Sequence, residues 1–147
     1  LKVNTFTSTG TFQANGPLQW SGSAFATAKT VLQDRASFDV PVMRTTGDFT
    51  AHSDLTVQGS WHHEKGKAKL NNLSFAGPTL DNKPGATLTV SGQTQLQAKT
   101  LTNSGTMTLA GKVQGQVERM VNHGALTCQQ DTHLTGSTLI NYKNFQA

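Results

Sequence analysis

One short run of this chain has the residue types of a reactive site: Trp61-His62-His63-Glu64-Lys65. Imidazole, carboxylate and ammonium groups side by side could supply metal ligands or general acids and bases. The spacing argues against a shared metal. Neighbouring residues of a strand point to opposite faces, so His62 and His63 do not converge on one ion. His52 joins either of them only through long-range folding. The run reads as a solvated polar loop, with a metal site as the alternative, and no cofactor is expected.

Other reactive patterns are thin. There is no Gly-x-Ser-x-Gly elbow, no phosphate-cradling glycine spacing, and a single cysteine, Cys128, at what reads as a core position. β-Helical polysaccharide lyases and glycosidases need clustered carboxylates, or a carboxylate-bound calcium beside a base. The eight acidic residues are Asp34, Asp39, Asp48, Asp54, Glu64, Asp81, Glu118 and Asp131. They do not recur on one exposed face at a fixed period, and Asp34 reads as a structural corner. An enzyme is not expected, and polysaccharide processing stays the alternative function. The net charge of +4 is scattered, apart from Lys65, Lys67 and Lys69 on one strand face. A nucleic-acid groove would need denser charge interleaved with aromatics, so those lysines read as a solvated face.

The elements that must position all these groups announce themselves by a repeat. Leu80-Asp81-Asn82, Leu101-Thr102-Asn103, Met120-Val121-Asn122 and Leu139-Ile140-Asn141 place asparagines 21, 19 and 19 residues apart. After Asn103 come Gly105, Met107 and Leu109; after Asn122 come Gly124, Leu126 and Cys128; after Asn141 come Phe145 and Ala147. After Asn82, a two-residue insertion carrying Pro84-Gly85 shifts the apolar pair to Leu88 and Val90. A fixed period near 20 residues marks units that bury surface only by stacking on each other. Within one unit Ala86, Leu88 and Val90 alternate with threonines, and Thr94, Leu96 and Ala98 alternate with glutamines. That is the period of half-buried strands. With the segment ending at Leu101, three short strands and three turns describe one coil.

The fold expected is therefore all-β, a right-handed parallel β-helix with coils of about 20 residues. Low charge (14%) and absent helical periodicity agree; Ser23 to Leu32, the best helical candidate, alternates equally well as a strand. Asn82, Asn103, Asn122 and Asn141 are expected to form a structural ladder at a corner. They would tolerate a left-handed backbone there and bond amide to amide between coils. Hairpin turns of an antiparallel barrel are the competing explanation for Asn-Ser-Gly and Asn-His-Gly.

The first half is expected to be less regular. Asp34, followed by Phe38 and Val40, reproduces the offsets with Asp for Asn; Asn4 with Phe12 and Ala14 is a looser match. The stretch from Trp61 to Asn72 is predicted to loop out or form an edge hairpin. Phe6, Phe12, Trp20, Phe25, Phe38 and Phe49 either stack in the core or form a surface binding strip, the core being favoured. The whole chain, 1–147, reads as a single β-helical segment, irregular over 1–69 and regular over 70–147. It is expected to be excised from a larger protein, since it stops in mid-repeat. No signal peptide or transmembrane run is evident.

The pattern from Thr79-Leu-Asp-Asn82 through Leu88-Thr-Val-Ser-Gly92, Leu96-Gln-Ala98 and Leu101-Thr-Asn-Ser-Gly105 to Leu109-Ala-Gly111 resembles the haemagglutinin-type repeats of filamentous haemagglutinin. The same repeats build the shaft of CdiA-like contact-dependent growth inhibition exoproteins. The resemblance covers residues 70–147 well and 1–69 loosely. It implies a parent exported by a two-partner secretion transporter through the outer membrane of a Gram-negative bacterium and held at the cell surface. That parent would act in adhesion or toxin delivery, with a target-cell receptor or glycan as partner and without membrane insertion. The Asn-Pro-Asn-Gly motif of the secretion domain is absent, which places the chain in the body of such a fibre.

Overall fold

The structure, a computed structural model, describes residues 5–143 and the backbone of residues 145–146. Asn4 and Ala147 lie outside the described residues. Fourteen strands and no helix occur among the described residues: β1 (Thr5–Ala14), β2 (Leu18–Ser21), β3 (Ala24–Leu32), β4 (Ala36–Thr45), β5 (Phe49–His63), β6 (Lys67–Asn82), β7 (Thr87–Val90), β8 (Thr94–Asn103), β9 (Thr106–Leu109), β10 (Val113–Asn122), β11 (Ala125–Cys128), β12 (Thr132–Thr135), β13 (Thr138–Asn141) and β14 (Phe145–Gln146). Every pairing between them is parallel. The chain is a β-solenoid of about 7 turns with coils of about 19 residues.

Two successive coils of the regular half each have a four-residue strand and a ten-residue strand, and in the next coil the long strand is divided into β12 and β13. The ten-residue strand is the expected second and third strands run together. Its pairing skips the residues opposite Lys99, going from Ala98 to Thr100 on both sides. The short strands stack in register, Leu88 on Met107 on Leu126 and Val90 on Leu109 on Cys128. These residues are buried, so period-two alternation in each coil becomes continuous apolar columns along the axis.

The insertion after Asn82 closes a tight turn. Ala86 N–H donates to Lys83 O at 3.1 Å. Pro84 sets the first central residue and Gly85, at φ +80°, takes the second, the signature of a type II turn. Two additional residues are thus absorbed at a corner without disturbing either strand.

The first half departs from expectation in one place and agrees in another. Residues 61–72 do not loop out. Strand β5 runs to His63, a short turn at Glu64–Gly66 follows, and β6 resumes at Lys67. Trp61 and His63 face inward and are fully buried, so the segment is ordinary coil wall with unusually large inward groups. The lesser regularity appears instead as register shifts, between Ser8 and Thr11, Asp39 and Val42, Ala51 and Asp54, and Gln58 and Trp61. The aromatics stack as core. Phe25, Phe38, Phe49 and Phe75 are buried, while Phe6, Phe12 and Trp20 pack half-buried on Phe25 with ring centroids 5.1, 5.8 and 6.0 Å away.

Candidate functional site

The feature that organises the interior is a polar column inside an otherwise apolar core. Strand register stacks Ser8, Thr27, Thr45, His63, Asn82, Asn103, Asn122 and Asn141 at the same level of successive coils, and from Thr45 onward each is the last residue of its strand. The residues from Thr27 to Asn122 are buried, at 2% exposure or less. Buried amides and hydroxyls this deep are costly unless bonded.

The asparagines satisfy one another. Asn82 Nδ2 donates to Asn103 Oδ1, Asn103 Nδ2 to Asn122 Oδ1 and Asn122 Nδ2 to Asn141 Oδ1, each at 2.8 Å. Each amide also caps backbone: Asn82 reaches Thr106 O at 3.0 Å and Asn103 reaches Ala125 O at 2.9 Å, carbonyls of the next coil. The ladder expected at Asn82, Asn103, Asn122 and Asn141 is present. Its backbone is not the expected one, because no residue other than glycine has positive φ among the described residues. The asparagines are extended strand ends, chosen for amide bonding. Gly105 and Gly124 matter through close stacking: a Cβ on Gly124 would sit 1.9 Å from Gly105 O.

Asp34 does not belong to the column. It sits in the turn after β3, where its Oδ1 accepts from Arg35 N–H at 2.7 Å. The earlier members are Thr27, Thr45 and His63, at 18-residue steps that hydrogen-bonded Thr45 and His63 display directly. His63 replaces an asparagine in function. Its Nε2 lies 3.0 Å from Gly66 O and 3.1 Å from Thr87 O, the same cross-coil carbonyl position that Asn82 reaches one coil later. Its Nδ1 lies 2.7 Å from Thr45 Oγ1, which in turn accepts from Trp61 Nε1–H at 3.0 Å. Carbonyls only accept, so Nε2 carries the hydrogen and Nδ1 accepts from the Thr45 hydroxyl. Burial lowers the His63 pKa below its ordinary 6.5, outweighing the opposing pull of the Gly66, Thr87 and Thr45 backbones and of Asp48. One orphan marks the change of residue type: Asn82 Oδ1 has no protein donor, because His63 spends its N–H on carbonyls.

Outside the same corner lies a charged group. His62 stacks between Arg44 and Asp81 in register. His62 Nδ1 lies 3.3 Å from Asp81 Oδ2, Lys83 Nζ lies 2.6 Å from the same oxygen, and Arg44 Nη1 lies 2.5 Å from Glu64 Oε1. His62 and His63 thus face opposite sides of the wall, as strand alternation requires. Among the described residues no three His, Cys, Asp or Glu side chains are placed to hold a metal ion. Lys65, Lys67 and Lys69 are exposed, Lys67 and Lys69 beside Thr87 and Thr89 of the next coil. Cys128 is buried in the column of Val90 and Leu109, and desolvation raises its thiol pKa. It lines a cavity of about 280 Å³ with Leu109, Met120 and Leu134 at the C-terminal end of the core. No helix is long and apolar enough to cross a membrane among the described residues.

Parallel coils, apolar columns and a buried polar ladder define a β-solenoid. No protein-family model matches the chain, and neither a curated protein nor a solved structure matches it.

Proposed function

We propose that this chain is a shaft segment of a large secreted exoprotein on the surface of a Gram-negative bacterium. There it spaces and presents a binding or toxin module in adhesion or contact-dependent toxin delivery. The observation that carries this reading is the continuous parallel stack from β1 to β13, each coil sealed to the next by backbone bonds and, from Asn82 onward, by side-chain rungs. Such a stack resists bending and adds about 4.8 Å per coil, roughly 34 Å for about 7 turns. The resemblance of residues 70–147 to haemagglutinin-type repeats supplies the setting: export by a two-partner secretion transporter, and a receptor or glycan on the target cell.

A shaft tolerates loss of a whole repeat and not of part of one. Deleting residues 104–122 from the parent exoprotein removes one coil and should preserve attachment or delivery with shortened reach. Deleting half of that span should abolish surface display. Equal damage from both deletions would refute the shaft reading. The solenoid is equally compatible with a polysaccharide-processing enzyme. Release of reducing ends from host or bacterial polysaccharides, lost on replacing one exposed carboxylate, would establish that alternative.

A further inference from the structure

His63 is the ionisable member of a buried column, Thr27 to Asn122, that otherwise holds threonine and asparagine. Both ring nitrogens are committed, Nε2 to the carbonyls of Gly66 and Thr87 and Nδ1 to the hydroxyl of Thr45. Thr45 Oγ1 also accepts the indole hydrogen of Trp61, so Trp61, Thr45, His63 and the next coil's backbone form one directional chain of donors. That chain runs in one direction only while the ring is neutral.

A proton added at Nδ1 reverses its central bond. Nδ1–H then points at Thr45 Oγ1, which must accept from both the imidazolium and Trp61 and turn its own hydrogen away from the ring. The new charge has no counter-ion in hydrogen-bond contact. Asp48, before β5, accepts from Lys67 N–H at 2.9 Å. Glu64 is engaged by Arg44, and Asp81 by His62 and Lys83, all on the outer face. Lys65, on the turn that follows, and Lys67, at the start of β6, are exposed and add further positive charge. A buried unpaired cation of this kind is not retained; the surrounding structure opens to hydrate it.

We propose that His63 is a proton-operated joint: mild acid protonates it and parts the coils at the corner shared by Thr45, His63 and Asn82, while the asparagine-laddered coils beyond stay closed. The second half lacks a titratable group in the column, so the response is confined to one level of the shaft. That level separates the aromatic first half from the regular second half, so acid would loosen one against the other. The inference does not depend on the shaft being an adhesin.

The test is amide hydrogen exchange on the whole chain from about pH 7.5 to about pH 5, above the carboxylate range. Protection over residues 45–87 should fall by up to about tenfold per pH unit below the unfolded histidine value. Residues 101–128 should keep theirs, and His63→Asn and His63→Gln should abolish the pH dependence. Unchanged protection across the window, equal loss in both regions, or the same loss in the variants overturns the proposal. Should neither variant fold, the wild-type ring followed by NMR decides. Protonation coincident with lost protection supports the joint; protonation with protection intact overturns it.

Discussion

Asn103 Nδ2 lies 2.8 Å from Asn122 Oδ1, with both side chains fully buried. Asn103 Oδ1 receives Asn82 Nδ2 at the same distance from the coil before, so one side chain serves as donor and acceptor in successive rungs. The bonds run one way along the axis and each is shielded from water, the setting in which hydrogen bonds reinforce one another.

Asn103→Leu should therefore be costly. It removes an acceptor from Asn82 and a donor to Asn122 and puts an apolar group into the buried rung, and the expected loss is about 2–4 kcal/mol. The urea midpoint at constant slope measures it. The neighbouring Thr102→Ala, on the other face of the strand, should change stability by no more than about 0.5 kcal/mol. Equal effects would mean that the ladder contributes nothing.

Thr94→Val should stabilise. Thr94 stacks between Leu73 and Val113, is 1% exposed, and its hydroxyl has no partner. Replacing it with a methyl of nearly the same shape removes a desolvated donor, for a gain of about 1 kcal/mol. A raised melting temperature is the expected reading, and a lowered one would show that the hydroxyl is bonded in solution.

Gly115→Ala should destabilise by about 2 kcal/mol or more. Its φ is +145°, and a Cβ would fall 1.8 Å from Leu96 O, backbone that cannot move without breaking the ladder between β8 and β10. Gly85→Ala, also at positive φ but with open space around the Cβ, tests backbone strain alone and should cost less.

Stability should form a plateau bounded by two buried groups. His63 has a folded pKa below 6.5, so between those values the unfolded chain binds a proton that the folded chain refuses, and stability falls as the pH drops below about 6.5. Cys128 has a raised pKa, so above its ordinary 9.0 the unfolded chain releases a proton that the folded chain retains, and stability falls as the pH rises. Urea midpoints against pH should decline at both edges, with His63→Asn flattening the acid edge and Cys128→Ala the alkaline one.

Much of this was legible in the chain itself. The asparagines at 82, 103, 122 and 141 carry their own period, and their flanking apolar pairs place Leu88, Met107 and Leu126 in one column. Asp34 misled because apolar-polar alternation recurs on every strand of a coil. Offsets to Phe38 and Val40 thus match a corner without saying which corner. The continuation of the column through Thr45 and His63 was hidden because its members change type while keeping their bonding role. A search for polar residues at 18-residue steps inside apolar flanks, rather than for asparagine, would have found Thr27, Thr45 and His63.

By itself, the sequence determined the class of fold, the length of a coil and the residues that form the rungs. A solenoid repeats the same local problem in each turn, and equal solutions leave equal spacing. Only the tertiary structure decided that His63 points inward and His62 outward, that residues 61–72 are wall, and which atom of each polar side chain meets which carbonyl. Those outcomes depend on the register between coils, and register is a property of strands meeting across space, where a shift by one residue exchanges inside for outside.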